Sequence, residues 1–95
     1  MNRAELIKYA EQHKNDVLGV KPILTAIMEA MAHIQEAAHC MESLHRMFAL
    51  GIRDFHADAD FVVPAVKIRE ANAKLCTLFL TLACVLNQAG HKINY

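Results

Sequence analysis

Two stretches decide the fold of this chain: ILTAIMEAMAHIQEAAHCMESLHRMF at residues 23–48 and FVVPAVKIREANAKLCTLFLTLACVLNQA at residues 61–89. In both, apolar residues recur at alternating steps of four and three. This spacing is the stripe by which one helix packs against another at a shallow angle. The two stripes match when the second helix runs antiparallel to the first. The chain is therefore predicted to be all-α, with a long helical hairpin as its main element.

The 95 residues are predicted to form a single domain of three helices, over about 3–18, 22–50 and 60–89. Asn2, followed three residues later by Glu5, resembles a capping box at the start of the first helix. Each helix is expected to stop at a glycine, because glycine accepts the left-handed backbone of a helix end. These glycines are Gly19, Gly51 and Gly90. The tail after Gly90 is expected to be frayed.

Pro64 allows two predictions for where the third helix starts. The residue before a proline is biased away from helical geometry, so the helix is expected either to begin near Pro64 or to carry a short kinked first turn. Asp58 or Asp60 is the expected cap. The alternating His56, Asp58 and Asp60 do not make a complete calcium loop, because the glycine and terminal glutamate of that motif are missing.

The first helix is short, at roughly 24 Å for 16 residues, and covers the hairpin only to about residue 38. The densest core is therefore expected at this three-helix end, around Leu75, Phe79 and Leu82. The remainder, about residues 39–70, is a two-helix arm with surplus apolar residues, which is typical of an interface. The predicted interface residues are Met41, Leu44, Met47, Leu50, Ile52, Phe55, Val62 and Val66.

The register of the hairpin follows from its charges. If Phe48 faces Phe61, then Glu42 faces Lys67 and Glu36 lies near Lys74 on the flanks of the two stripes. Each such exposed ion pair contributes about 0–1 kcal/mol, and together they favour this register. Asn72 is the one polar residue in the third helix's stripe. It either specifies register and partner number or is half exposed where the stripe drifts.

Composition argues against several classes of protein. Ten basic and ten acidic residues cancel, which argues against a protein that binds nucleic acid by neutralising phosphates. Three cysteines in helical stretches, predicted to be buried, suit a reducing cytosol better than a disulfide framework. The longest apolar run is about twelve residues, short of the roughly 20 that span a bilayer. A cytoplasmic protein without a membrane segment is expected.

Two groups of residues offer alternatives to a pure interaction role. Lys67, Arg69 and Lys74 form a small basic cluster on the third helix, which could contact nucleic acid. His33 faces Cys76 in the predicted register, and such a His–Cys pair could bind zinc or activate a thiolate, but no third and fourth ligand is evident for the pair. Together with Cys40, these residues are the candidates for a thiol or metal site. No catalytic residue, cofactor or resident metal is predicted, since the single Ser43 lies mid-helix and there is no glycine-rich phosphate loop.

The predicted plan resembles the small helical-hairpin dimers of plasmid copy-number regulators and the helical hairpins of secretion systems, in architecture alone. The function expected from the sequence is a non-enzymatic, homodimeric interaction module that binds an unidentified protein through an exposed helical face. Regulatory accessory proteins of phages or mobile elements and secretion chaperones have this profile. A nucleic-acid-binding regulator and a small thiol or metal site are the alternatives.

Overall fold

The computed structural model consists of three helices: α1 (Arg3–His13), α2 (Val20–Ala49) and α3 (Ala57–Gln88). It describes residues 1–51 and 57–95, and the side chains of all of these except Phe48 and residues 57–61. α2 and α3 pack along one another as the predicted hairpin, and α1 packs against both. Over the described residues the chain has no strand, and the all-α prediction is confirmed.

α1 begins with the predicted capping box and ends five residues earlier than predicted. The Asn2 side chain accepts a hydrogen bond from the Glu5 backbone at 2.8 Å, and the Glu5 carboxylate accepts one from the Asn2 backbone. After His13 the chain turns, with the backbone N–H of Asp16 donating to the His13 carbonyl. Short polar side chains such as Asn15 and Asp16 disfavour helix interiors because they compete for backbone hydrogen bonds.

Because α1 ends early, two apolar residues lie in the loop that follows it and not on the helix. Val17 turns inward from the connecting loop and is buried, while Leu18 is 99% exposed. The prediction that the first helix extends to about residue 18, and so includes both residues, is therefore wrong. The loop itself supplies a core residue that helical periodicity placed on α1.

α3 begins at Ala57, before Asp58 and Asp60. The prediction that one of these aspartates is its N-cap is therefore wrong. The helix continues through Pro64 without ending there. A proline inside a helix removes one backbone hydrogen bond. Pro64 is buried in the described structure, so its ring contributes packing where its missing N–H weakens the helix.

The core lies at the three-helix end, as predicted. Leu75, Phe79 and Leu82 belong to one buried cluster with Ile27 and Ala30 of α2, and Ile34 packs against its edge. Leu6 and Ala10 of α1 close the third side, and both are fully buried.

The packing stripe of α3 differs from the predicted one toward the arm. Ala71 and Pro64 are buried, whereas Ala65 and Asn72 are exposed. An ideal helix drifts by about 20° per heptad against a strict seven-residue repeat, which moves the contact from Asn72 to Ala71. Of the two interpretations of Asn72, the drifting stripe is therefore the one that the structure supports.

The C-terminal tail is packed against the bundle, and the prediction of a frayed end is wrong. Gly90, at a φ of 97°, closes α3 with a Schellman motif in which the N–H of His91 bonds the Leu86 carbonyl at 3.0 Å. Asn87 then holds the returning chain through bonds with both the N–H and the carbonyl of Ile93. Ile93 packs on the core, and the Tyr95 ring stacks on Phe79 with centroids 6.1 Å apart.

Candidate interaction surfaces

Of the six predicted interface residues that the structure describes, four are exposed on the arm. Leu50 is 67% exposed and Val62 is 51% exposed, and Met47 and Val66 also face solvent. Leu44 is different, because it is 8% exposed and packs inside the hairpin. Met41 is half-buried, while Ile52 and Phe55 lie outside the described residues. Val63 is exposed as well, although the sequence pattern did not single it out.

The length of α1 explains why these residues are uncovered. α1 has 11 residues and α2 has 30, which at 1.5 Å per residue correspond to about 16 Å and 45 Å. α1 starts level with Cys76 of α3, since the Arg3 guanidinium donates a hydrogen bond to the Cys76 sulfur at 3.2 Å. Beyond that level the described chain contains only α2 and α3.

Between the two long helices lies a groove of about 480 Å³, which we call the α2–α3 groove. Its floor is made of small or compact buried residues: Ala30 and Ala37 of α2, and Pro64 and Ala71 of α3. Its rims are polar. They comprise His33, Glu36 and Cys40 on α2, and Lys67, Glu70 and Lys74, together with Val63, on α3.

The groove lies on the face of the hairpin away from α1. Successive residues of a helix are about 100° apart, so Cys76, which contacts α1, and Lys74, which borders the groove, are about 200° apart on α3. The Arg3 guanidinium also sits 4.9 Å above the Phe79 ring, on the side of Cys76. Its hydrogen bond with Tyr95 raises the pKa of Arg3 above its usual value. α1 and the C-terminal tail therefore occupy one face and leave the groove open.

The predicted ion pairs across the hairpin do not form. Glu42 instead pairs within α2, with its carboxylate 3.5 Å from the Arg46 guanidinium. In the part of the chain that the structure describes, neither Glu36 nor Glu42 forms an ion pair with Lys67 or Lys74. Glu36 and Lys74 do border the same groove, which agrees with the predicted register. Exposed side chains this long gain too little from pairing to close the groove between them.

The basic cluster proposed for nucleic acid is divided between two faces of α3. Lys67 and Lys74 lie on the groove rim, seven residues apart, with Glu70 between them and Glu36 opposite. Arg69 is two residues from Lys67, or about 200° around the helix. The groove therefore carries as many carboxylates as lysines, and the three basic side chains do not form one positive patch.

The residues of the thiol or metal alternative are also separated. His33 and Cys40 border the groove, whereas Cys76 lies on the α1 face and accepts the bond from Arg3. All three cysteines are exposed, so the prediction of buried thiols is wrong. Over the described residues, no group of three or more His, Cys, Asp or Glu side chains is placed to hold a metal ion.

A ring cluster at the opposite end of the molecule was not predicted from the sequence. Tyr9 and His13 are one turn apart on α1 with ring centroids 4.5 Å apart, and His91 of the tail lies 4.6 Å from His13. The Tyr9 hydroxyl shares a hydrogen bond with Nδ1 of His91. The i, i+4 spacing of Tyr9 and His13 was a visible signal, but the arrival of His91 depends on the docked tail.

The chain matches no family model, no curated protein and no solved structure. Over the residues that the structure describes, none of its helices contains a stretch long and apolar enough to cross a lipid bilayer.

Proposed function

We propose that this chain is a non-enzymatic protein-interaction module. It forms a homodimer and binds a macromolecular partner through its arm, as an adaptor, an inhibitor or a chaperone-like accessory protein. The observation that carries the proposal is the set of large apolar side chains that the arm leaves in solvent, among them Met47, Leu50 and Val62. Grouped exposed apolar residues usually mark a site of protein association.

The surface area of the chain supports a second copy as the partner that covers the exposed apolar side chains of the arm. A monomer of 10.6 kDa is expected to expose about 5,500 Å², and this chain exposes 6597 Å². Its radius of gyration is 17.7 Å, against about 12 Å for a compact domain of this length. The excess surface exceeds the roughly 800 Å² that each partner contributes to a standard interface. It is therefore large enough for one dimer contact.

The charge distribution favours a protein partner over nucleic acid. Nucleic-acid affinity comes largely from clustered lysine and arginine side chains that replace the counterions of phosphates. Here Lys67 and Lys74 share their groove with Glu36 and Glu70, and Arg69 lies on another face of α3. An interface with an apolar floor and a rim of both charges is the usual arrangement for protein–protein contacts.

Sedimentation equilibrium of the wild-type chain, from about 1 to 100 μM, tests the proposal, since a micromolar Kd corresponds to about −8 kcal/mol. We expect a mass of twice 10.6 kDa at the upper concentration. In parallel, titration with labelled DNA and RNA should show no saturable binding. A chain that stays monomeric and binds nucleic acid with an affinity that falls steeply with salt would contradict the proposal and support the nucleic-acid alternative.

A further inference from the structure

We infer that the α2–α3 groove is the surface on which a second copy of this chain docks, and that each α2 lies over the α3 of the other copy. This inference rests on the homodimer of the proposed function and specifies its geometry. Two hairpins facing each other in this way form an antiparallel four-helix bundle, with both copies of α1 on the outside.

The floor of the groove suits close approach by a helix. Ala30 and Ala37 are seven residues apart on α2, and Pro64 and Ala71 are seven apart on α3, so each pair repeats along one face. The distance between packed helices is about 8–10 Å and is set by the side chains at the contact. Alanine at these positions leaves room for a helix of the second copy.

The rim charges are complementary between the two helices. The α2 rim carries Glu36, while the α3 rim carries Lys67 and Lys74 around Glu70. None of these four side chains forms an ion pair in the described structure. The α2 rim is thus net acidic and the α3 rim net basic, and both are available to a partner.

Symmetry turns this complementarity into one arrangement. A two-fold axis parallel to the helices keeps every residue at its own height and places α2 over the partner's α3. Glu36 then lies near Lys74 of the second copy, because both residues line the same groove and the predicted hairpin register places them near one height. A two-fold axis perpendicular to the helices would instead place α2 over α2, with rims of like charge in contact. Charge complementarity therefore favours the first arrangement.

The same face continues into the exposed part of the arm. Val63 lines the groove directly and is exposed. Met47 lies seven residues after Cys40, which borders the groove, and so falls on nearly the same side of α2. A copy seated on the groove would cover both residues, which joins the groove to the apolar interface already proposed.

Reversing the charges of Glu36 and Lys74, one at a time, tests the arrangement. Glu36→Lys places two lysines at each rim contact, and Lys74→Glu places two carboxylates there. Each single variant should dimerise about tenfold more weakly, since two weak attractions become two repulsions. Mixing the two variants should restore a heterodimer of near wild-type affinity. Glu42→Lys is the matched control, because it makes the same charge change on α2 away from the groove and should leave the Kd within about twofold.

The outcomes separate the inference from the proposed function. If the wild-type chain is monomeric at about 100 μM, the homodimer of the proposed function and the groove arrangement are both wrong. If it is dimeric but Glu36→Lys dimerises as well as the wild type, the groove arrangement is wrong and the homodimer stands. If a chain carrying both Glu36→Lys and Lys74→Glu recovers wild-type affinity while the mixture of single variants does not, the charges act within one chain, and the arrangement is also overturned.

Zero-length carboxyl–amine cross-linking of mixed ¹⁴N and ¹⁵N wild-type chains gives an independent readout. A Glu36 peptide joined to a Lys74 peptide of the other isotope is expected, since only a contact between copies can mix the labels. Cross-links at this pair that are always of a single isotope would place the contact within one chain and contradict the inference.

Discussion

At the three-helix end, Phe79 and Leu82 are buried by α1, α2 and the C-terminal tail, whereas on the arm Met47, Leu50 and Val62 face solvent. Both regions belong to the same two helices and carry similar apolar sequences. The difference is the third layer, which α1 and the tail supply at one end only. A continuous apolar pattern thus predicts the helices. Whether a given part of that pattern becomes core or interface depends on whether a third element, such as α1 or the tail, packs against it.

The largest effect is expected from removing the central side chain of the three-helix end. Phe79→Ala should lower the free energy of unfolding by about 3–5 kcal/mol, because it leaves a cavity under α1 and Tyr95. Urea denaturation followed by helical circular dichroism measures the change. Leu80→Ala is the control one position along, and its exposed side chain should cost less than about 0.5 kcal/mol. Equal effects would mean that the core is misplaced.

The next effect should appear in association rather than in folding. Met47→Asp places a charge in the proposed interface, which costs several kcal/mol when the charge is desolvated without a partner. The dimer should weaken at least tenfold, with the helical content unchanged. Met28→Asp makes the same change on α2 at the three-helix end, where Met28 is 57% exposed, and should leave association intact. If the two variants behave alike, the arm is not the interface.

A moderate effect is expected at the docked tail. Asn87→Ala removes the side-chain bonds to both backbone groups of Ile93 and should cost about 1–2 kcal/mol. Asn72→Ala is the matched control on α3, since Asn72 is exposed and should be neutral or slightly stabilising. Thermal denaturation compares them. Equal melting temperatures for Asn87→Ala and the wild type would show that the tail adds no stability to the three-helix end.

The smallest effect concerns the ion pairs on the arm. A double-mutant cycle between Glu42 and Arg46 should give a coupling of about 0.3–0.5 kcal/mol, as for other i, i+4 pairs. The cycle between Glu42 and Lys67 should give a coupling indistinguishable from zero. A larger coupling to Lys67 would restore the cross-hairpin pair that the sequence predicted, and would mean that the helices approach more closely on the arm.

The sequence predicted the helices and the core well, because a 4–3 apolar spacing has few other solutions. It failed where a position depends on tertiary contacts. The packing of Ile93 and Tyr95 needs α1 and Phe79 in place, and no local pattern in a five-residue tail signals that. That Ala71 and not Asn72 is buried at the helix contact depends on a small drift of the apolar stripe around α3. The α2–α3 groove likewise became visible only when the floor and rims were assembled from both helices.

The contrast between the two regions can be measured directly by hydrogen exchange of the wild-type chain at about 1 μM and about 100 μM, since a ligand at 100 times its Kd stabilises by about 2.7 kcal/mol. A second copy on the groove and the arm should slow exchange at the higher concentration for amides of residues 33–49 and 62–74. Amides of α1, which packs on the other face of the hairpin, should be slowed less, because local opening of α1 does not break the dimer contact. Exchange that is independent of concentration along the whole chain, or slowed only at the three-helix end, would contradict a dimer formed through the arm.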